Sequence, residues 1–401
     1  DIIVAPGAPA PERFAARELS RYLRLLSGKT SRIVEAPEPE AGRRSPAVFV
    51  QAGWLPLREL PEDCPTKEQA YSLSFRPPGS PVLRIGAWDP AGIPYGAYAL
   101  LERLGVGFYL GGDALPEPSE HLLVPADLLE VRAPVFRIRG TLPWYNFLNS
   151  PTTWDLEDYR SFFDQTAKMR CNFVGFHSYD GEPFCAYPWK GEWRMGAPAA
   201  TSMTYGWGAV RHLRSDEFGF GTGRCFPHEV FGSRSAALAR DPSPEAPNPA
   251  FFPLRNAADD AIVRAQCVLA QGLDYARLRG LHVCLGFELT GDPTVEENRR
   301  QAEARIRNLL ATFPMLDHVW FWQSEGLGGG SNAPAPDSPF DLAVQRMRPE
   351  FTYLGNEGRI AEAVRVALWV DFAAAVAKRL RPDIRTIVSG WGGDAWMRFS
   401  D

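Results

Sequence analysis

Lysine is scarce in this chain: of 43 basic residues only Lys29, Lys67, Lys168, Lys190 and Lys378 are lysine. An arginine excess spread over the whole length reads as codon usage rather than as a site. Acidic and basic residues are interspersed and sum to a net charge of −5. That leaves no basic stripe and argues against a nucleic-acid partner. No apolar run approaches the ~20 residues of a membrane helix, so no membrane partner is expected. No leader segment precedes the strand-like opening Asp1-Ile-Ile-Val-Ala. A secreted protein trimmed of its leader starts the same way, and a secreted or periplasmic location is favoured over a cytoplasmic one. The six cysteines (Cys64, Cys171, Cys185, Cys225, Cys267, Cys284) form no CxxC pair and no zinc-type spacing. Contexts such as Val283-Cys284-Leu285 read as buried free thiols. There is no HExxH, no Walker loop and no GxSxG. Six histidines are too few to assemble a His/Asp metal set. No metal and no cofactor are expected. Gly219-Phe-Gly-Thr-Gly is not a dinucleotide loop, because no strand precedes it.

What is present is a globular composition, 45% hydrophobic and 23% charged, over 401 residues, enough for two domains. Residues 1–127 read as a small α+β domain. Its strands are Ile2–Ala5, Val48–Gln51, Tyr71–Phe75 and Val82–Trp88. Its helices are Pro11–Ser27, with Phe14, Leu19, Tyr22, Leu23 and Leu26 apolar and Gly28 as cap, and Ile93–Leu104. No titratable cluster marks it, so it reads as accessory. From 128 to 401 strands alternate with helices: Phe136–Arg139, Asn172–His177, His282–Glu288, Val319–Glu325 and Arg385–Trp391, separated by Leu156–Arg170, Ala257–Leu278, Val295–Thr312 and Glu362–Arg381. Such alternation implies a parallel sheet. The expected class is α/β, a (β/α)8-type barrel preceded by the small α+β domain. Only five strands can be drawn where a barrel needs about eight. Either the barrel is incomplete in this chain, or the sheet is open and doubly wound.

The strands end on polar or aromatic residues, as catalytic groups at the carboxyl mouth of a barrel do. Glu325 closes Val319-Trp-Phe-Trp-Gln-Ser-Glu, where aromatic walls would desolvate its carboxyl and keep it protonated as a general acid. Its structural alternative is an ion pair with an arginine. Glu288 closes the preceding strand as a second catalytic carboxyl or a hydroxyl-binding anchor. His177 and Asp180, in Phe176-His-Ser-Tyr-Asp, are candidates for sugar hydroxyls, with a satisfied core histidine as the alternative. Arg139 offers a planar fork for hydroxyls or a carboxylate, or a structural salt bridge. Trp144, Trp322, Trp391 and Trp396 are candidate platforms for sugar faces or core residues, and Asp394 joins Trp322 and Trp391 in the substrate-binding set.

In this order the motifs resemble the β-N-acetylhexosaminidases of glycoside hydrolase family 20 and their relatives, the family 67 α-glucuronidases. Ala15-Ala-Arg-Glu-Leu-Ser-Arg-Tyr-Leu and Gly96-Ala-Tyr-Ala-Leu-Leu-Glu-Arg-Leu-Gly-Val-Gly-Phe-Tyr are similar to the α+β domain that precedes both barrels. Phe136-Arg-Ile-Arg-Gly is similar to the hexosaminidase first strand, which implies hydroxyl binding by Arg139. Lys168 through Asp180 is similar to the segment ending in His-x-x-Asp. Phe287-Glu-Leu-Thr-Gly-Asp-Pro resembles the third strand, and Gly390-Trp391 the aromatic wall of a later one. Gln323-Ser-Glu stands where hexosaminidases carry an Asp-Glu pair, which implies Glu325 as the acid. Ser324 departs from the Asp that orients the acetamido group, which widens the implied substrate from a hexosaminide to a uronide. The resemblance therefore implies an exo-acting glycoside hydrolase on an oligo- or polysaccharide. A catalytically silent carbohydrate-binding barrel is the alternative.

Overall fold

A computed structural model describes residues 1–39, 43–53, 67–75, 80–143, 151, 154, 156–178, 183–194, 257–323 and 334–390. Two compact units divide the chain: Asp1–Gly140 with Phe162–Asn172, and Thr141–Ser161 with Phe173–Asp401.

The first unit holds β1 (Ile2–Val4), α1 (Ala10–Ser27), β2 (Ile33–Glu35), β3 (Ala47–Ala52), β4 (Tyr71–Phe75), β5 (Val82–Ala87), α2 (Gly92–Arg103), the short hairpin of β6 (Gly107–Tyr109) and β7 (Gly112–Ala114), and β8 (Leu129–Arg132). Six of these strands form one sheet in the order β2-β1-β3-β5-β4-β8. Strands β2, β1, β3 and β5 run parallel, and β4 is antiparallel to both β5 and β8. The sheet thus extends through Arg132, past the expected boundary at 127. Helix α1 buries Ala15, Ala16, Leu19, Tyr22 and Leu26, a one-face pattern at helical spacing. It ends at Gly28, whose φ of 71° lets its N–H reach the Arg24 carbonyl at 2.8 Å. Helix α2 lies close to the sheet because a Cβ on Gly96 would come within 2.7 Å of Ile85. Lys168 joins this unit through the Asp113 carboxylate, at 3.0 and 3.1 Å, and the same carboxylate accepts from the Tyr22 hydroxyl.

The second unit is built on β9 (Gly140–Thr141), α3 (Leu156–Lys168, shared with the first unit), β10 (Phe173–Ser178), the hairpin of β11 (Tyr187–Trp189) and β12 (Glu192–Arg194), α4 (Ala257–Leu278), β13 (His282–Leu289), α5 (Glu296–Thr312), β14 (His318–Gln323), α6 (Pro339–Met347), α7 (Glu357–Leu380) and β15 (Arg385–Gly390). Its main sheet has the order β15-β14-β13-β10-β9. Strands β10, β13, β14 and β15 pair in parallel. Among the described strands spatial order follows chain order, without the reversal that defines a doubly wound sheet. The chain is therefore α/β, with a five-stranded sheet among the described residues.

The strand expected over Phe136–Arg139 is not formed; only Gly140–Thr141 pairs. The side chain of Asn172 takes the place of a strand partner there. It accepts from the Arg139 N–H at 2.8 Å and donates to the Arg137 carbonyl at 2.8 Å, while its own backbone N–H bonds the Arg139 carbonyl. Helix α7 begins five residues before the expected Glu362, because Asn356 accepts from the N–H groups of Gly358 and Arg359 at 2.9 and 3.2 Å. Asn356→Ala should lower stability by about 1 kcal/mol, read from the urea midpoint.

Candidate functional site

Strand alternation and register sort the second sheet into two faces. One carries Val174, Phe176, Val283, Leu285, Phe287, Val319 and Phe321, all buried. This face meets the helices: the Phe176 ring lies 5.9 Å from Tyr159 of α3, and the Arg305 guanidinium of α5 sits 4.1 Å from the Phe287 ring centroid. The opposite face carries Phe173 and His177 on β10, Cys284, Gly286 and Glu288 on β13, His318, Trp320 and Trp322 on β14, and Ile387 on β15. His177, Glu288, Trp320 and Trp322 lie on it toward the carboxyl ends.

Three of the predicted site residues meet there. His177 pairs in register with Gly286, and Gly286 with Trp320; in the next row Glu288 pairs with Trp322. The glycine removes a side chain from the middle of the first row, so the His177 ring reaches Trp320 at 5.6 Å and Trp322 at 5.2 Å. The two indoles meet edge-on at 5.2 Å. His177 is wholly buried, and burial, with the Arg305 charge second, holds its pKa down to about 3. The imidazole is thus neutral at pH 7 and presents one donor and one acceptor.

Glu288, 8% exposed, also borders a small cavity on the helix side of the sheet, lined by Phe287, Leu289, Tyr187, Gln301, Arg305 and Trp369. Its volume of about 20 Å³ admits one water molecule. Gln301 and Arg305 are buried in α5. The Tyr187 hydroxyl lies 3.3 Å from the Gln301 oxygen, and the Arg305 Nε donates to the Cys185 carbonyl at 3.1 Å. Sequence reading passed over both. Their spacing of four on the same helix face as Leu309 was the available signal. Trp320 was passed over as well, although it alternates in register with Trp322.

Arg139 is placed in the first unit. Its guanidinium donates to the carbonyls of Arg170 and Phe136 at 3.2 and 2.7 Å and to Gln69 Oε1 at 2.7 Å. These are neutral acceptors, so among the described residues the salt bridge weighed as its alternative role is not what holds it. Asp180, Glu325, Trp391 and Asp394 lie outside the described residues, as do Trp144, Ser324 and Trp396. Among the described residues no group of three or more His, Cys, Asp or Glu side chains could hold a metal ion. No described helix is long and apolar enough to cross a membrane. Cys185 and Cys284 are buried free thiols; Cys171 is half-buried and Cys267 exposed, against the expectation of burial.

The His177 environment has a measurable consequence. An imidazole in the unfolded chain titrates near 6.5 and in the folded chain near 3. Between those values the unfolded state binds a proton that the folded state refuses. The stabilisation is full above pH 6.5 and is lost as pH falls toward 3. Urea midpoints should fall across this window, by up to about 1.4 kcal/mol per pH unit from this group. His177→Phe should flatten that slope; an unchanged slope would remove the assignment.

No family model and no curated protein matches the chain. Several solved structures are similar to it. One is a GH138 enzyme targeting pectin rhamnogalacturonan II, with 11% identity and a TM-score of 0.46 over 97% of this chain and 38% of that one. Another is a GH20 exo-β-N-acetylglucosaminidase from Vibrio harveyi, with 12% identity and a TM-score of 0.48 over 99% of this chain and 55% of that one. A third is a β-hexosaminidase from Streptomyces plicatus, with 13% identity and a TM-score of 0.46 over 97% of this chain and 61% of that one. The chain spans less than two thirds of the length of each.

Proposed function

We propose that this chain carries the catalytic region of an exo-acting glycoside hydrolase that removes a terminal hexosaminide or uronide. In this reading the second unit belongs to a (β/α)8 barrel, and the first is accessory. Glu325, two residues beyond the end of β14, protonates the leaving glycosidic oxygen. Glu288 is the second carboxyl or anchors a hydroxyl, and His177, Asp180, Trp322, Trp391 and Asp394 bind the sugar. The observation that carries the reading is the parallel register that gathers neutral His177, Glu288 and Trp322 on one face at the carboxyl ends of adjacent strands. Active-site groups of parallel β/α sheets collect at that end. A buried carboxyl beside indole rings also suits a site where water is excluded and proton transfer is controlled.

The test is hydrolysis of a panel of aryl glycosides by the wild-type chain, including α-glucuronides and β-N-acetylhexosaminides. Release of aglycone from one member supports the reading. Binding of a sugar without release would instead make the protein a carbohydrate-binding barrel. Neither binding nor release would overturn both.

A further inference from the structure

The geometry points to an oxyanion-binding groove in the first unit, a site for a small molecule bearing a carboxylate, sulfate or phosphate. The groove has a volume of about 710 Å³, within the range of ligand sites. Among the described residues Arg103, Arg132, Arg139 and Arg170 line it, against two carboxylates, Glu102 and Glu130. Four positive charges less two negative leave an excess of two, in a chain whose net charge is −5. The ion pairs show where that excess lies. Glu102 is taken by Arg170 at 2.6 Å. Glu130 is shared by Arg103 at 2.5 Å and Arg132 at 3.2 Å, one carboxylate for two guanidiniums. Among the described residues Arg139 has no carboxylate partner.

Arg139 is nevertheless the most carefully held of the four. Its three acceptors fix three of five N–H donors, and its guanidinium lies 5.7 Å from the Tyr95 ring centroid. Two of those acceptors come from residues in left-handed backbone, Gln69 at φ 64° and Arg170 at φ 63°. Glycine takes this conformation without steric penalty and other residues do not. Gln69 supplies its side-chain oxygen and Arg170 its carbonyl, and Gln69 Oε1 also lies 3.2 Å from Asn172 Nδ2. Two strained turns therefore converge on one half-buried guanidinium whose charge, among the described residues, is met by dipoles. A planar fork with spare donors, beside a second uncompensated charge at Glu130, suits a bidentate oxyanion. This groove lies wholly within the first unit and does not depend on the glycosidase reading.

Isothermal titration calorimetry of the full chain at low salt, with glucuronic acid, glucose 6-sulfate and inorganic phosphate as probes and glucose as the neutral control, tests the site. At least one anion should bind at a single site, weaken with added salt, and weaken about tenfold or more in Arg139→Gln. The anion that binds identifies the source: a uronic acid, a sulfated sugar or a phosphate. Gln69→Gly separates a ligand role from a structural one. It relaxes the left-handed turn while removing the oxygen that aims Arg139, so the melting temperature should hold or rise while affinity falls. Absence of binding by all three anions would overturn the proposal. So would equal binding of glucose, or a Gln69→Gly variant that loses stability and keeps affinity.

Discussion

Glu325→Gln should reduce turnover by about 10²- to 10⁴-fold, the usual contribution of a general acid, without shifting the melting curve. Glutamine keeps the size and the hydrogen-bonding shape of the acid but has no proton to give. The loss should depend on the leaving group. A glycoside of an acidic phenol departs as a stable anion and needs little protonation, whereas an alkyl glycoside departs only with help. The rate deficit should therefore be small for dinitrophenyl substrates and large for alkyl ones. Glu288→Gln gives the contrasting pattern if that carboxyl attacks the anomeric carbon or activates water, a comparable loss whatever the leaving group. If Glu288 only grips a hydroxyl, KM rises and kcat changes little. An equal deficit for both substrate classes in Glu325→Gln would move the acid role elsewhere.

Much of the α/β alternation was legible because its strands are short apolar runs bounded by helices with clear periodicity. His282–Leu289 and Ala257–Leu278 are found at or within one residue of their expected bounds. The failures have local causes. At Phe136–Arg139 a side chain, Asn172, takes hydrogen bonds that pattern reading assigns to another strand. Strand β2 is exposed at all three residues, so it carries no hydrophobic signal. For the site, residue types at strand ends nominated His177, Glu288 and Trp322, but only the register shows that they share a face. Each partner is offset by an amount that the loops decide. Arg305 was hidden for another reason. It lies in Glu296-Glu-Asn-Arg-Arg-Gln-Ala-Glu-Ala-Arg, where charge suggests a solvated helix, yet it is 2% exposed. Its guanidinium lies over the Phe287 ring at 4.1 Å and its Nε donates to the Cys185 carbonyl, so the charge is held inside by a ring face and a backbone dipole.

Gly286→Ala should destabilise the second unit by about 3 kcal/mol or more, at or beyond the upper end of ordinary overpacking. A Cβ built there would stand 2.1 Å from the Trp320 carbonyl oxygen, 2.5 Å from Trp320 Cβ and 2.8 Å from its carbonyl carbon. Two of these atoms belong to the backbone of the adjacent strand, so relief requires β13 and β14 to separate. Separation breaks the pairing of Glu288 with Trp322 one row on. Gly175→Ala is the control. Its nearest obstacle, at 2.7 Å, is the tip of Leu142, a side chain 48% exposed and able to turn aside. Urea unfolding followed by tryptophan fluorescence should show a large loss for Gly286→Ala and a much smaller one for Gly175→Ala. Equal losses would mean that the tolerance of this sheet is set by overall crowding. Unequal losses in the expected order would make Gly286 the residue that admits two indoles and an imidazole to one face, and so a precondition for the chemistry assigned to that face.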